Sequence, residues 1–292
     1  MNKLSQAGRA NILQLLCEGM SMRAVTRATG ASKNTVAKLL NDAGRALGEF
    51  QDAAFRDLNC KRVQVDEIWS FTYAKERNVP LAKKAPEGAG DTWTWTAIDA
   101  DTKLVFSTLI GPRDSDSAIY FMEDIKARVA DRIQLTSDGL LVYFQAVKHT
   151  FKGEVDYAQI VKLYGAAPGP KGRYSPALCV GAKKKRISGR PARKHISTSY
   201  VERQNLTMRM HMRRFTRLTN GFSKKLESHI NAVALHMAYY NFVRIHQTLR
   251  VTPAMAAGVT KRLWEMADLV AIVEAAETVP AKRGPYRKHA AV

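Results

Sequence analysis

Three acidic residues stand in local frames that could do chemistry. Asp66 lies within Arg62-Val63-Gln64-Val65-Asp66-Glu67-Ile68-Trp69, Asp138 within Gln134-Leu135-Thr136-Ser137-Asp138-Gly139, and Glu202 within Ser199-Tyr200-Val201-Glu202-Arg203-Gln204-Asn205. The aspartates sit in or just after apolar, β-branched runs that read as buried strands, and Glu202 opens a stretch with helical periodicity. A carboxylate inside a buried strand is costly unless something neutralises it. A divalent metal at a sheet edge would do so, and an all-oxygen donor set suits Mg²⁺ or Mn²⁺. Such a cluster can hold two ions about 3.5–4 Å apart, one activating a water or 3′-hydroxyl and the other stabilising the leaving oxygen of an in-line displacement. The expected chemistry is metal-dependent phosphoryl transfer on nucleic acid. Two other carboxylates fit less well. Glu67 should point to the opposite face of its strand from Asp66, and Asp99 precedes a tight turn, where aspartate is common for structural reasons.

The whole composition agrees with a polyanionic partner. The chain has 292 residues, and 46 Lys and Arg against 26 Asp and Glu leave a formal charge of +20, with a pI near 10.0. No apolar run approaches the roughly 18 residues that a membrane span needs, so no membrane partner is expected. Cys17, Cys60 and Cys179 are far apart and form no CxxC pair, which supports neither a zinc site nor a disulfide framework and implies a reducing cytosol.

The acidic residues must be positioned by a sheet, and the pattern supplies one. Strands are predicted at 63–71, 92–99 and 103–110, a helix at 115–130, a strand at 133–137, a helix from about 140 to 149 and a short strand near 154–157. That order, a mixed α/β sheet flanked by helices, is the order of the ribonuclease-H-like fold. It places the first and fourth strands side by side, bringing Asp66 and Asp138 to one edge, with Glu202 approaching from a helix at about 199–214. A further helix is predicted at 223–241. Ahead of the sheet, residues 1–45 read as three short helices capped by Ser5, Ser21 and Ser32 and punctuated by Gly19, Gly30 and Gly44. This is a helix-turn-helix pattern, with Lys33, Asn34, Thr35 and Lys38 exposed on the reading helix, where they would meet phosphates and base edges. Residues 46–61 read as a helical linker. Residues 165–196 lose periodicity and carry Lys183, Lys184, Lys185 and Arg186, a basic insertion suited to phosphate. Arg209, Arg213, Arg214 and Arg217 fall at helical spacing and read as a DNA-facing stripe. Residues 263–292 form a C-terminal helix and a basic tail.

The motifs around the three carboxylates resemble those of bacterial insertion-sequence transposases of the DDE type, most closely the IS1-family group. The segment from Met208 to Asn220 and the run Tyr239-Tyr240-Asn241-Phe242-Val243-Arg244-Ile245-His246-Gln247-Thr248-Leu249-Arg250-Val251-Thr252-Pro253-Ala254 carry the resemblance further, over roughly residues 1–262. The resemblance implies a ribonuclease-H-like core over 62–262, a two-ion site held by Asp66, Asp138 and Glu202, and strand cleavage and transfer at the ends of a mobile element. It also implies a homo-oligomer on double-stranded DNA, and a bacterial cytoplasm beside the nucleoid. DDE families often have a basic residue seven positions after the glutamate, here Arg209. IS1 proteins typically begin with a cysteine zinc finger, which this chain lacks, so DNA reading would rest on the helix-turn-helix. The Asp138–Glu202 spacing is longer than usual in DDE enzymes, and the basic insertion accounts for the excess. Two alternatives are a DNA-binding regulator derived from an inactive transposase and a ribonuclease-H-like nuclease that cuts without joining.

Overall fold

The computed structural model describes residues 3–165, 178–216 and 219–277. Residues 166–177 of the basic insertion, Arg217 and the tail at 280–292 lie outside the described residues.

The sheet is organised by β1 (Arg62–Thr72), whose alternating side chains face two different layers. Val63 and Val65 join a core with α4 (Ser115–Arg128) and α5 (Leu141–Phe151), while Ile68 joins a second core on the other side. β1 pairs antiparallel with β2 (Gly90–Asp99), which pairs antiparallel with β3 (Val105–Gly111). On its other side β1 runs parallel to β4 (Gln134–Asp138), and β4 runs parallel to β5 (Asp156–Gly165). The strand order β3-β2-β1-β4-β5 is the ribonuclease-H-like order, extended by one further strand beside β5. Asp99 is a turn residue, as its position predicts: its carboxylate accepts from the backbone N–H of Asp101 and Thr102 and from the Thr102 hydroxyl.

The sixth strand corrects the sequence reading. The basic run is no irregular loop: β6 (Leu178–Ser188) pairs antiparallel along the length of β5, with Lys183 opposite Val161, Lys184 opposite Ile160, Lys185 opposite Gln159 and Arg186 opposite Ala158. Lysines and arginine suit an exposed edge strand because they discourage further strand addition. β5 is correspondingly longer than the short strand expected near 154–157.

At the N-terminus the three serine caps form as the spacing predicts. The hydroxyls of Ser5, Ser21 and Ser32 accept from the backbone N–H of Gly8, Ala24 and Thr35 at 3.1–3.2 Å, opening α1 (Gln6–Cys17), α2 (Met22–Thr29) and α3 (Lys33–Ala54). Gly30 ends α2 with φ +72°, a conformation that costs glycine little. Gly44, in contrast, does not stop the third helix. α3 continues to Ala54, and Gly44 lies where it crosses α7 (Leu226–Ala238), so close that a Cβ would overlap the backbone of Asn231. The glycine serves the close approach of two helices, which a one-dimensional pattern cannot distinguish from a stop.

α6 (Ser199–His211), α7 and α9 (Met266–Ala275) share one apolar cluster with α1–α3, through Ile12, Leu13, Leu40, Leu47, Met208, Val233, Leu269 and Val270 among others. After α7, the turn Tyr239–Val243 bonds the start of the edge strand β3. The Asn241 side chain donates to the Val105 carbonyl at 2.8 Å and accepts from the Val105 N–H at 3.1 Å, while Tyr240 donates to the Lys103 carbonyl. The short helix α8 (Pro253–Ala256), capped by Thr252, follows. Among the described residues no helix is long and apolar enough to cross a membrane.

Candidate active site

β4 is short and lies between two longer strands. Its ladder with β1 ends at Gln64–Thr136, and the same register carried two residues further puts Asp138 beside Asp66 where the strands part. β1 continues to Thr72 and β5 to Gly165, so the end of β4 forms a notch between two longer arms. Asp66 and Asp138 both belong to the face covered by α6. Two contacts from β1 dock that helix. The Gln64 side chain accepts from the backbone N–H of Tyr200 and Val201 at 2.8 and 3.2 Å, capping the helix start, and Asn205 donates to Asp66 Oδ2 at 2.8 Å. Gln64 and Asp66 are two residues apart on one strand face, so the same stretch that carries the aspartate fixes the helix that carries Glu202.

Asp66, Glu67 and Asp138 form a group whose candidate ligand atoms all lie within 4.8 Å of one another. Glu67 does face the opposite layer, as strand alternation requires. It accepts from Tyr143 at 3.0 Å and from Arg113 Nε at 2.7 Å, and its side chain is only 2% exposed. Its carboxylate nevertheless reaches the same sheet end, so alternation did not remove it from the site. Burial, reinforced by Glu67 and Asp138, pushes the Asp66 carboxyl up to about 7. Burial also raises Glu67, against the pull of Arg113. Glu67 is buried and Asp66 and Asp138 are half-buried, so the three carboxylates repel one another, and their all-oxygen donor set would suit a divalent cation such as Mg²⁺ or Mn²⁺. Asp138 in addition accepts from the Leu140 N–H at 2.9 Å, which ties it to the turn into α5.

Glu202 lies outside that tight group, though its charge is felt at Asp66. Both its oxygens are engaged: Oε1 accepts from the Thr198 hydroxyl at 2.5 Å, and Oε2 pairs with Lys162 of β5 at 2.7 Å. Burial works against the Lys162 ammonium, but Glu202 outweighs it and raises its pKa. Lys162, Asn205, Arg113 and Tyr143 are the site neighbours that sequence reasoning missed, and Glu67 is one that strand alternation had set aside. Asn205 had a signal, since it follows Glu202 by three positions on one helical face.

The basic residues divide. Lys33 and Asn34 are exposed at the start of α3, whereas the Thr35 hydroxyl is bonded to Ser32 and Lys38 is paired with Asp42. Lys183, Lys184, Lys185 and Arg186 are exposed on β6. With Arg193 and Lys194 of the turn Arg193–His195, Lys183–Lys185 line a shallow depression. Arg209 is half-buried on α6, and Arg213 is exposed just beyond it. Arg214 departs from the expected stripe. It turns inward, donating from Nε to the Ser223 hydroxyl at 2.7 Å, and burial pulls its pKa down to about 10. Helical spacing fails there because α6 ends at His211 and a tighter turn, Arg213–Phe215, follows.

No family model matches the chain, and no curated protein does. Among solved structures it is similar to a chain of the simian T-cell lymphotropic virus intasome in complex with a PP2A regulatory subunit, at 13% identity and a TM-score of 0.40, covering 96% of this chain and 78% of that one. It is similar to a chain of the piggyBac transposase synaptic complex with hairpin DNA, at 9% identity and 0.42, covering 92% and 69%. It is also similar to a chain of the Mos1 strand transfer complex, at 12% identity and 0.24, covering 54% and 59%.

Proposed function

We propose that this protein is a DNA transposase of the DDE type, which binds the ends of its mobile element and performs metal-dependent strand cleavage and strand transfer. The observation that carries the reading is the meeting of Asp66 and Asp138 at the parting of two parallel strands, beneath a helix that brings Glu202, in a chain of charge +20. Asp66, Asp138 and Glu202 would hold two Mg²⁺ or Mn²⁺ ions, which when bound supply a nucleophile of lowered pKa and stabilisation of the leaving oxygen. Asn205 holds the Asp66 carboxylate in place through its hydrogen bond, and Gln64 fixes the start of α6. Lys33 and Asn34 on α3 supply end recognition, and Arg213, exposed just beyond α6, adds a phosphate contact. The narrower likeness to the IS1 family, a homo-oligomer assembled on the element ends, and a nucleoid-associated bacterial setting belong to the same proposal and rest on the motifs.

The test is cleavage and joining of an end-containing duplex in Mg²⁺ or Mn²⁺. Asp66→Asn and Asp138→Asn should each lower both activities by about 10³-fold or more, as expected for loss of several kcal/mol of electrostatic stabilisation. Both variants should keep their affinity for the duplex. Retained metal-dependent activity in either variant would overturn the site. Cleavage without joining, abolished by the same substitutions, would instead identify a nuclease.

A further inference from the structure

The pairing of β5 with β6 divides the basic run between the two faces of the sheet. Tyr157 and Gln159 face the α5 layer, where Tyr157 bonds Ser137 and Gln159 bonds Tyr157. Their alternates Ala158, Ile160 and Lys162 therefore face α6, the side of Asp66, Asp138 and Glu202, and the Lys162–Glu202 pair at 2.7 Å agrees. Lys184 is opposite Ile160 and Arg186 is opposite Ala158, which places both on the acidic face. Lys184 donates to the Arg193 carbonyl in the segment that leads into α6 on that face. Lys183 and Lys185, opposite Val161 and Gln159, belong to the α5 face, as does Ile187, which packs on the α5-side core. Lys184 borders the edge depression together with them, and it alone of the three belongs to the acidic face. In the sheet, Asp138, Ile160 and Lys184 form one row. At roughly 4.8 Å per strand, Lys184 starts about 10 Å from Asp138.

Resting on the nucleic-acid reading of the acidic centre, we propose that Lys162, Lys184 and Arg186 form a phosphate-holding row that positions the DNA strand entering that centre, and that Lys183 and Lys185 take no part in it. Each cation of the row can meet one phosphate, and Lys162, paired with Glu202, is the member next to the reacting end. The two outer cations are separated by two residues of one strand, a rise of about 7 Å.

Two double variants of the full chain carry the same change in charge on the same strand and lie on opposite faces: Lys184→Gln with Arg186→Gln, and Lys183→Gln with Lys185→Gln. Binding to a duplex oligonucleotide without divalent metal, so that nothing is cut, is measured as log K against log salt. At about 0.9 per phosphate contact on duplex DNA, the front pair should flatten the slope by about 1.8 and Lys162→Gln by about 0.9, while the back pair leaves it within about 0.3 of wild type. Equal flattening by both pairs, a larger effect of the back pair, or no effect of either would overturn the row. Since the measurement requires no cleavage, loss of the transposase reading through an active Asp66→Asn variant would be seen separately. Thermal melts of all three variants show whether an altered slope comes from an altered fold.

Discussion

Asp66 shows what the site costs before anything neutralises it. Its carboxyl is pushed from an ordinary 3.8 up to about 7 by burial and by the neighbouring carboxylates of Glu67, Asp138 and Glu202. A carboxyl with a raised folded pKa binds its proton more tightly in the folded protein. Its contribution to stability is therefore best below pH 3.8 and falls as pH rises from about 4 to about 7. Above that the destabilisation is fully present, on the order of 2–4 kcal/mol at 1.36 kcal/mol per pH unit. Asp66→Asn removes the charge while keeping an amide oxygen near Asn205. In metal-free buffer the variant should melt close to wild type at pH 4 and several degrees above it at pH 8. Added Mg²⁺ should raise the wild-type melting temperature more at pH 8 than at pH 5, and should scarcely move the variant. A wild-type protein that is no less stable than Asp66→Asn at pH 8 would contradict the crowded carboxylate site. At this scale the sequence was legible where residue type and strand pattern coincide, as they do for Asp66 and Asp138. It was silent on Lys162 and Arg113, whose roles come from partners 40 and 46 positions away. Arg214 was misplaced because a helix end changed the direction of its side chain.

At the level of elements, glycine and lysine were the residues whose meaning depended on a neighbour. Gly44 reads as a helix stop, yet α3 passes through it and crosses α7 there. Helix propensity alone predicts that Gly44→Ala stabilises by about 1 kcal/mol. The crossing predicts the opposite, because a Cβ would overlap the Asn231 backbone, which cannot move without shifting α7. Overpacking of this kind costs about 1–3 kcal/mol. Gly48 provides the control. One turn further along α3, its Cβ would meet only the Ala234 methyl at 3.7 Å, ordinary contact, so Gly48→Ala should stabilise by up to about 1 kcal/mol. Urea unfolding of the two variants should move in opposite directions, and a stabilised Gly44→Ala would place the helices further apart. β6 was illegible for a related reason. Its lysines, glycine and alanine have little strand preference of their own, and its regularity comes from pairing with β5, an interaction local periodicity does not encode. The first four strands carry apolar, β-branched runs and were read with boundaries within about two residues, the usual blur of element ends.

Across the whole molecule, the N-terminal helices and the helices that flank the acidic end of the sheet are joined by a shared apolar interior. The N-terminal helices contribute Ile12, Leu13, Val36, Leu39 and Leu40 to the same cluster as Val233 of α7 and Leu269, Val270 and Val273 of α9. Polar contacts reinforce the joint: Tyr239 donates to Glu18 at 2.5 Å, and Arg9 pairs with Glu277 beyond α9. Removing residues 1–45 would cut α3 near its crossing with α7 and bare the faces of α7 and α9. At about 1.5–3 kcal/mol for each large aliphatic side chain returned to water, the fragment should lose its cooperative melt. Truncation is therefore a poor test of which part reads DNA, and a surface substitution is the better one. Asn34 is exposed at the start of α3, clear of the shared interior, and an asparagine there can pair bidentately with adenine. Asn34→Ala in the full chain should leave the melting temperature within about a degree of wild type. It should also cost about 1–3 kcal/mol of discrimination between an element end and random duplex, while affinity for random duplex stays nearly constant. Competition binding with the two duplexes at one fixed salt concentration measures both quantities together. Undiminished preference for the end would move recognition away from α3 and leave the N-terminal helices as part of the scaffold alone.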